Sequence, residues 1–559
     1  MSLIRFLKKA PGWSLFCLLL YCTQALPANA PGVAAIASAH PLATDAGHEI
    51  LRQGGNAFDA AVAVSAVLAV VEPYSSGIGG GGFWLLHRAS DGFETMIDGR
   101  ERAPLAADRD LYLDPDGEVI PGRSINGPLA AGIPGEPAAL VHISKQYGRL
   151  PLKQALAPAI RIAREGFAVD AYYRRMAGWR LAALNADPVA AAVFLKQGQL
   201  PEVGDAIKQP DLADTLQRLA DDGAAGFYAG ELAERLVAGV RAAGGIWQLE
   251  DLKRYRVLER EPVRGRYMGL KITSAAPPSS GGVALITMLN ILQGFNLPEV
   301  DEPQRTHLIV EAMRRAYRDR ADYLGDPDYV DIPVEALIHP WYAAGLARDI
   351  QMNRASPSVG NLEPEGGRDT THFSILDREG NRVAATLSIN YPFGSCFMVE
   401  GTGVLLNDEM DDFSSSPGVP NVYGLVGGEA NAIAGGKRML SSMSPTFVED
   451  EHQVAILGTP GGSRIITMVL LGILEMAEGA DAEAWVERPR FHHQYLPDRI
   501  EFEPQAFSES MRNGLQAMGH ELNPLEHPYG NMQAIHWDKR SGRVEAASDP
   551  RGIGSAKIH

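Results

Sequence analysis

Cysteine is nearly absent: there are three in 559 residues, and Cys17 and Cys22 fall in the N-terminal signal-like segment. Cys396 stands alone in the rest, which excludes a disulfide framework and makes it read as a small buried hydrophobe. Basic residues are also in deficit. Lys+Arg total 51 against 68 Asp+Glu, a net charge of −17, which argues against a nucleic-acid backbone as partner. An anionic substrate would need a local cluster of Arg or hydroxyl donors working against the overall field. Beyond the N-terminus there is no second long apolar run, no repeat and no heptad pattern. The G-x-S-x-G elbow of ordinary serine hydrolases is missing too. What remains is 45% hydrophobic and 21% charged, enough for a sizeable core in two to four domains or one large compact fold.

The first residues have a separate identity. Arg5, Lys8 and Lys9 precede the apolar stretch 13–21, and small residues follow at Thr23-Gln24-Ala25 and Ala28-Asn29-Ala30. This is the order of a secretory signal, and the stretch is short for a bilayer span. Cleavage after Ala25 is favoured over cleavage after Ala30, because Pro31 would follow the later cut. Cys22 raises a lipoprotein reading, but the bulky Tyr21 precedes it where a small residue belongs. An uncleaved anchor is the other alternative. The expectation is an exported, periplasmic protein.

Residues 60–71 (AAVAVSAVLAVV) are apolar on every side and stopped by Pro73, which predicts a buried helix. Helical patterns also cover 152–166, 212–219 and 306–323. Residues 355–369 (ASPSVGNLEPEGGRD) read as an exposed linker and a nicking site. Strands follow: 370–376, turn residues 377–381, then 383–390 in strict alternation. Val383, Ala385, Leu387 and Ile389 share one face, with Ala384, Thr386, Ser388 and Asn390 on the other. Thr370, His372 and Ser374 likewise share a face, so the hairpin has one apolar side and one rich in hydroxyls.

Several motifs have bland readings. Gly77-x-Gly79-x-x-Gly82 matches the dinucleotide fingerprint in form, but it lies between a helix and a strand in the wrong order. Close backbone approach explains it better. His492-His493 lacks partners at ligand spacing and reads as a packed or hydrogen-bonded pair. The run 326–331 reads as a surface turn. Residues 458–464 (GTPGGSR) open a helical pattern, so they make either a helix-entry turn or an anion-stabilising nest. Residues 440–445 (LSSMSP) cluster hydroxyls in what reads as a capped loop.

Taken together and in order, these pieces resemble the gamma-glutamyltranspeptidases, members of the N-terminal-nucleophile hydrolases. The resemblance rests on Asp369-Thr370-Thr371-His372 at a strand start, Ile97-Asp98-Gly99-Arg100-Glu101, 276–282 (APPSSGG), 407–413 (NDEMDDF), 440–446 (LSSMSPT) and Pro460-Gly461-Gly462-Ser463-Arg464. It implies an αββα sandwich, cut by the protein itself between Asp369 and Thr370. The pieces are then a signal at 1–25, a large subunit at 26–369 and a small subunit at 370–559, held together as a heterodimer. A threonine hydroxyl is a weak nucleophile, and the amino group freed by the cut, with an ordinary pKa of about 7.7–8.0, can serve as its base.

The resemblance implies that Thr370 takes the γ-glutamyl group from glutathione or another γ-glutamyl compound and passes it to water or to an amino-acid or dipeptide acceptor. No metal or organic cofactor is implied. Gly461 and Gly462 would stabilise the oxyanion. Arg100, Ser441 and Ser442 would hold the α-carboxylate, and Asn390, Glu409 and Asp412 the α-ammonium. Thr371 belongs near the nucleophile, Ser388 hydrogen-bonds to it, and Tyr423 closes a lid loop at 417–424. Two alternatives stay open: a glutaryl or cephalosporin acylase on the same scaffold, and an unprocessed binding relative without activity.

Overall fold

The computed structural model describes residues 30–359, 370–416 and 418–559. The signal-like segment, Asp369 with the adjoining linker residues, and Pro417 lie outside the described residues.

The strands are β1 (Ala35–Ser38), β2 (Gly81–Arg88), β3 (Phe93–Gly99), β4 (Leu258–Arg260), β5 (Val263–Tyr267), β6 (Leu270–Ser274), β7 (Thr371–Leu376), β8 (Arg382–Ser388), β9 (Thr446–Glu449), β10 (Gln453–Gly458), β11 (Gln533–Asp538), β12 (Val544–Ser548) and β13 (Ser555–Ile558). They form two antiparallel sheets, ordered β13-β1-β7-β8-β2-β3-β4 and β12-β11-β10-β9-β6-β5. The helices that cover them are α1 (Pro41–Arg52), α2 (Ala57–Val71), α3 (Leu152–Glu165), α4 (Pro210–Asp222), α5 (Gly281–Leu292), α6 (Glu302–Tyr323) and α7 (Ile465–Ala477).

Alternation along the strands sorts side chains into three apolar layers. Val383, Ala385, Leu387 and Ile389 join α1 and α2 in one core. Ala384 faces the other way, into a core between the sheets with Leu376, Phe447 and Ile456. Ile272, Val448, Ala455 and Leu457 pack beneath α5, α6 and α7. Helix, sheet, sheet, helix is the αββα order that the resemblance implies.

α2 forms where expected and is buried along its whole length. Asn56 caps Phe58 and Asp59, and the Asp59 carboxylate returns to the Asn56 N–H at 3.0 Å, a reciprocal cap. The glycine run after it serves close approach, as predicted: a Cβ on Gly79 would lie 1.9 Å from the Leu405 carbonyl oxygen, and one on Gly80 2.2 Å from that of Ser388. This contact lays the entry to β2 against the end of β8.

The differences from the sequence reading include two strand boundaries and one burial. β7 begins at Thr371, one residue after the nucleophile candidate. β8 ends at Ser388, because Asn390 takes a left-handed φ of 75° that no ladder can continue. The 326–331 run is a turn, but Asp326 is buried, accepting the Arg438 N–H at 2.7 Å and the Asp328 N–H at 3.0 Å.

Candidate active site

Thr370 is held at the mouth of β7, a strand paired on both sides by β1 and β8. Its Oγ1 lies 3.4 Å from Ser388 Oγ, which accepts the Asn390 N–H at 2.8 Å. The left-handed turn at Asn390 aims its amide at the Asp408 carbonyl, 3.0 Å away, and its own carbonyl accepts the Tyr423 hydroxyl at 2.7 Å. The hydroxyl face foreseen for the hairpin continues inward. His372 Nδ1 sits 2.8 Å from Thr386 Oγ1, and burial pulls its pKa down to about 3, so the ring is neutral. Thr371 points to the opposite face, where its hydroxyl donates to Glu72 at 2.7 Å. Burial pushes the Glu72 carboxyl up to about 7.

Across from the threonine lies a fully buried guanidinium. Arg100 Nη1 is 2.7 Å from Glu409 and Nη2 is 2.5 Å from Asp412, with Glu101 at 3.5 Å. Burial opposes the Arg100 charge, but the carboxylates of Glu409, Asp412 and Glu101 outweigh it and hold the guanidinium charged above its ordinary range. Burial also raises Glu409 well above the usual carboxylate range and Glu101 to about 8, each opposed by Arg100. Asp412 also anchors the loop that carries Tyr423. Its Oδ1 accepts the Asn421 amide at 3.2 Å, while Asn421 Oδ1 takes the N–H groups of Tyr423 and Leu425, 3.0 Å each.

The third wall comprises Ser441 and Ser442, with Met443 beside them. Gly461 and Gly462 have φ of 136° and 57° and open into α7 through a short 3-10 turn, so their amides stand at a helix start. The Tyr423 ring rests on Gly462: a Cβ there would lie 2.3 Å from Cδ1.

The structure thus gathers Thr370, Ser388, Asn390, Arg100, Glu409, Asp412, Tyr423, Ser441, Ser442 and Gly462 around one cavity of about 20 Å³, the room of about one water. Thr371 lies behind it, and Gly461 lines an adjoining cleft with Tyr172, Trp179 and Tyr529. Leu425 and Ile465 complete the lining and Arg320 stands behind Ser442. None of these three carries a sequence signal, since each reads as an ordinary loop or helix residue. A hydroxyl, an amide nest and a guanidinium between two acids suit acyl transfer from a donor bearing both a carboxylate and an ammonium.

Two other clusters are spoken for. His492 sits 2.9 Å from Thr467 and 2.8 Å from Gln494, and His493 lies 3.1 Å from Asp498, the hydrogen-bonded pair expected. His307, Glu311 and His520 come close enough to share a cation. However, Arg314, Arg315 and Ser356 occupy both Glu311 oxygens, which makes the group a strut. Cys396 is buried beneath Arg180, and burial pushes its thiol up to about 11.

The gamma-glutamyltranspeptidase family model matches residues 43–558. A glutathione hydrolase proenzyme of Pseudomonas sp. (strain A14) is 43% identical over 532 residues, 92% of each chain. One from Escherichia coli (strain K12) is 41% identical over 527 residues, covering 93% of this chain and 90% of that protein. The solved structure of a cephalosporin acylase from Bacillus halodurans superposes with a TM-score of 0.82 at 29% identity, covering 94% of this chain and 96% of that one. With this match along nearly all of its length and the four-layer fold already in place, the chain belongs to the gamma-glutamyltranspeptidase family.

Proposed function

We propose that the protein is a γ-glutamyltransferase and glutathione hydrolase that matures by cutting itself before Thr370. One observation carries the reading: Thr370 faces the Arg100–Glu409–Asp412 cluster across one small cavity. The guanidinium and the Ser441 and Ser442 hydroxyls suit an α-carboxylate, and the two acids with the Asn390 amide suit an α-ammonium. In the proposed reaction Thr370 Oγ1 bonds to the γ-carbonyl carbon and its proton passes to the Thr370 amino group. The oxyanion is taken by the amides of Gly461 and Gly462. The C–N bond then breaks, and the departing amine leaves with that proton. Water or an acceptor amine attacks the ester by the reverse route.

The first 25 residues direct export to the periplasm in this proposal, and the two pieces, 26–369 and 370–559, stay together as a heterodimer. Intact-mass measurement and N-terminal sequencing of the exported protein test it. A fragment of about 20 kDa beginning Thr-Thr-His-Phe, with release of glutamate from glutathione, is expected. The Thr370→Ala variant stays whole and inactive. An uncut wild-type chain overturns the reading, because Thr370 then lacks its amine base. The likeness to a cephalosporin acylase favours an acylase as the second reading, with a glutaryl group as its donor in place of a glutamyl one. Against it stand both acids beside Arg100, for which a glutaryl group has no cation.

A further inference from the structure

Arg320, in the last turn of α6, is 4% exposed and sits directly behind the Ser441–Ser442 wall. Among the described residues no carboxylate lies within ion-pair distance of it. Its Nη2 donates to Ser442 Oγ at 3.4 Å, and its Nε donates to Ser280 Oγ at 3.0 Å. Ser280 passes the contact on: its hydroxyl and its N–H both donate to the Ser441 carbonyl, at 2.7 and 2.8 Å. One guanidinium therefore braces both serines, one by its side chain and the other by its backbone.

Hydroxyl chemistry sets the consequence. Ser442 Oγ accepts from Arg320, and Ser441 Oγ accepts the Met443 N–H at 3.1 Å. With a lone pair of each oxygen engaged, each proton is left to donate into the cavity. The charge balance points the same way. Arg100 is paired directly with Glu409 and Asp412, whereas Arg320 makes no ion pair among the described residues and feels Asp412 only at longer range, so it adds positive potential at the serine wall in a site of low dielectric.

We propose that Arg320 is a positioning residue for the donor's α-carboxylate: it turns the Ser442 hydroxyl into a fixed donor and makes the serine wall cationic. The inference rests on the glutamyl-donor reading above. It predicts a loss confined to donors that carry the carboxylate. Two p-nitroanilides separate the terms, γ-glutamyl and 4-aminobutyryl, because the second keeps the ammonium and lacks the carboxylate.

Arg320→Gln is expected to raise the γ-glutamyl KM roughly 10- to 100-fold, the range spanned by a hydrogen bond involving a charged group. Its kcat stays within about threefold, and kcat/KM for the 4-aminobutyryl substrate within about twofold. Arg320→Lys restores the charge and recovers most of the KM. Inhibition constants for L-glutamate and 4-aminobutyrate give the same comparison without turnover. Should the Gln variant stay uncut, the Lys variant carries the test, with a KM rise of at least about threefold for the carboxylate-bearing donor alone. An equal loss on both substrates, or an unmoved KM, overturns the role given to Arg320. A wild-type enzyme inactive on the γ-glutamyl substrate instead overturns the donor reading itself.

Discussion

Replacing Asp412 with Asn tests the division of labour in the charged cluster. Arg100 keeps Glu409 at 2.7 Å, so its charge is not orphaned, and the full 3–5 kcal/mol typical of a broken buried pair does not apply. Relief of crowding offsets part of the rest, since Asp412 is among the charges that push Glu409 up. Stability should therefore change by no more than about 1–2 kcal/mol, and processing should proceed. Binding is different. A donor ammonium loses a carboxylate partner in a buried site, worth about 2–3 kcal/mol, a 30- to 150-fold fall in kcat/KM. The single Asn carbonyl must also choose between Arg100 and the Asn421 amide, which loosens the lid that Asp412 holds at 3.2 Å. A glutaryl donor has no ammonium and loses only the lid contribution. The assay is kcat/KM on γ-glutamyl and glutaryl p-nitroanilides, measured side by side. The ratio of the two should fall by about 30- to 150-fold. An equal fall on both substrates would refute the assignment of Asp412 to the ammonium and leave it a lid anchor alone.

Gly462→Ala puts a Cβ 2.3 Å from the Tyr423 ring at a φ of 57°, and Tyr423 is pinned to Asn390, so the nest or the lid must move. Activity should fall at least about 100-fold while processing, read by gel, shows whether the nest also serves the cut. Glu136 is fully buried, and burial alone pushes its carboxyl up to about 8. A carboxyl raised in the fold keeps its proton where the unfolded chain has released it, so this cost is absent below about pH 4.5, grows as pH rises, and is complete above about 8. Glu136→Gln should therefore raise the thermal midpoint by about 4 °C at pH 9, from about 5 kcal/mol, with no change at pH 4. A pH-independent difference would remove ionisation as its cause.

Local composition and period made much of the scaffold legible. The all-round apolar pattern of α2, the two faces of the β7–β8 hairpin and the close approach at Gly79 and Gly80 each follow from side-chain size or spacing alone. Candidate site residues were legible through motifs, because glycine, paired acids and clustered hydroxyls stand at fixed places in the chain. Tertiary charge was not. Residues 306–323 carry a helical pattern, yet Glu311, Arg314, Arg315, Asp319 and Arg320 are all buried, against one another and against partners such as Tyr342, Ser356, Ser442 and Asp498 outside the helix. Asp326 is hidden for the same reason, by Arg438. The end of β8 was misjudged because alternation persists to Asn390 while the backbone turns at a single φ.

The place of Thr370 in the sheet bears on how a cut could leave the site undisturbed. The ladder of β7 starts with Thr371 against Leu387 and Phe373 against Ser38, so a break before Thr370 removes no ladder bond. The strands on either side of that position are interleaved: β7 lies between β1 and β8, β8 lies beside β2, and β13 closes the edge against β1. Two pieces divided at Thr370 therefore share one continuous seven-stranded sheet and could not separate without unzipping its centre. The new amino group would appear one residue ahead of a strand fixed from both sides, a placement that lets the same hydroxyl serve first against its own chain and then against a donor.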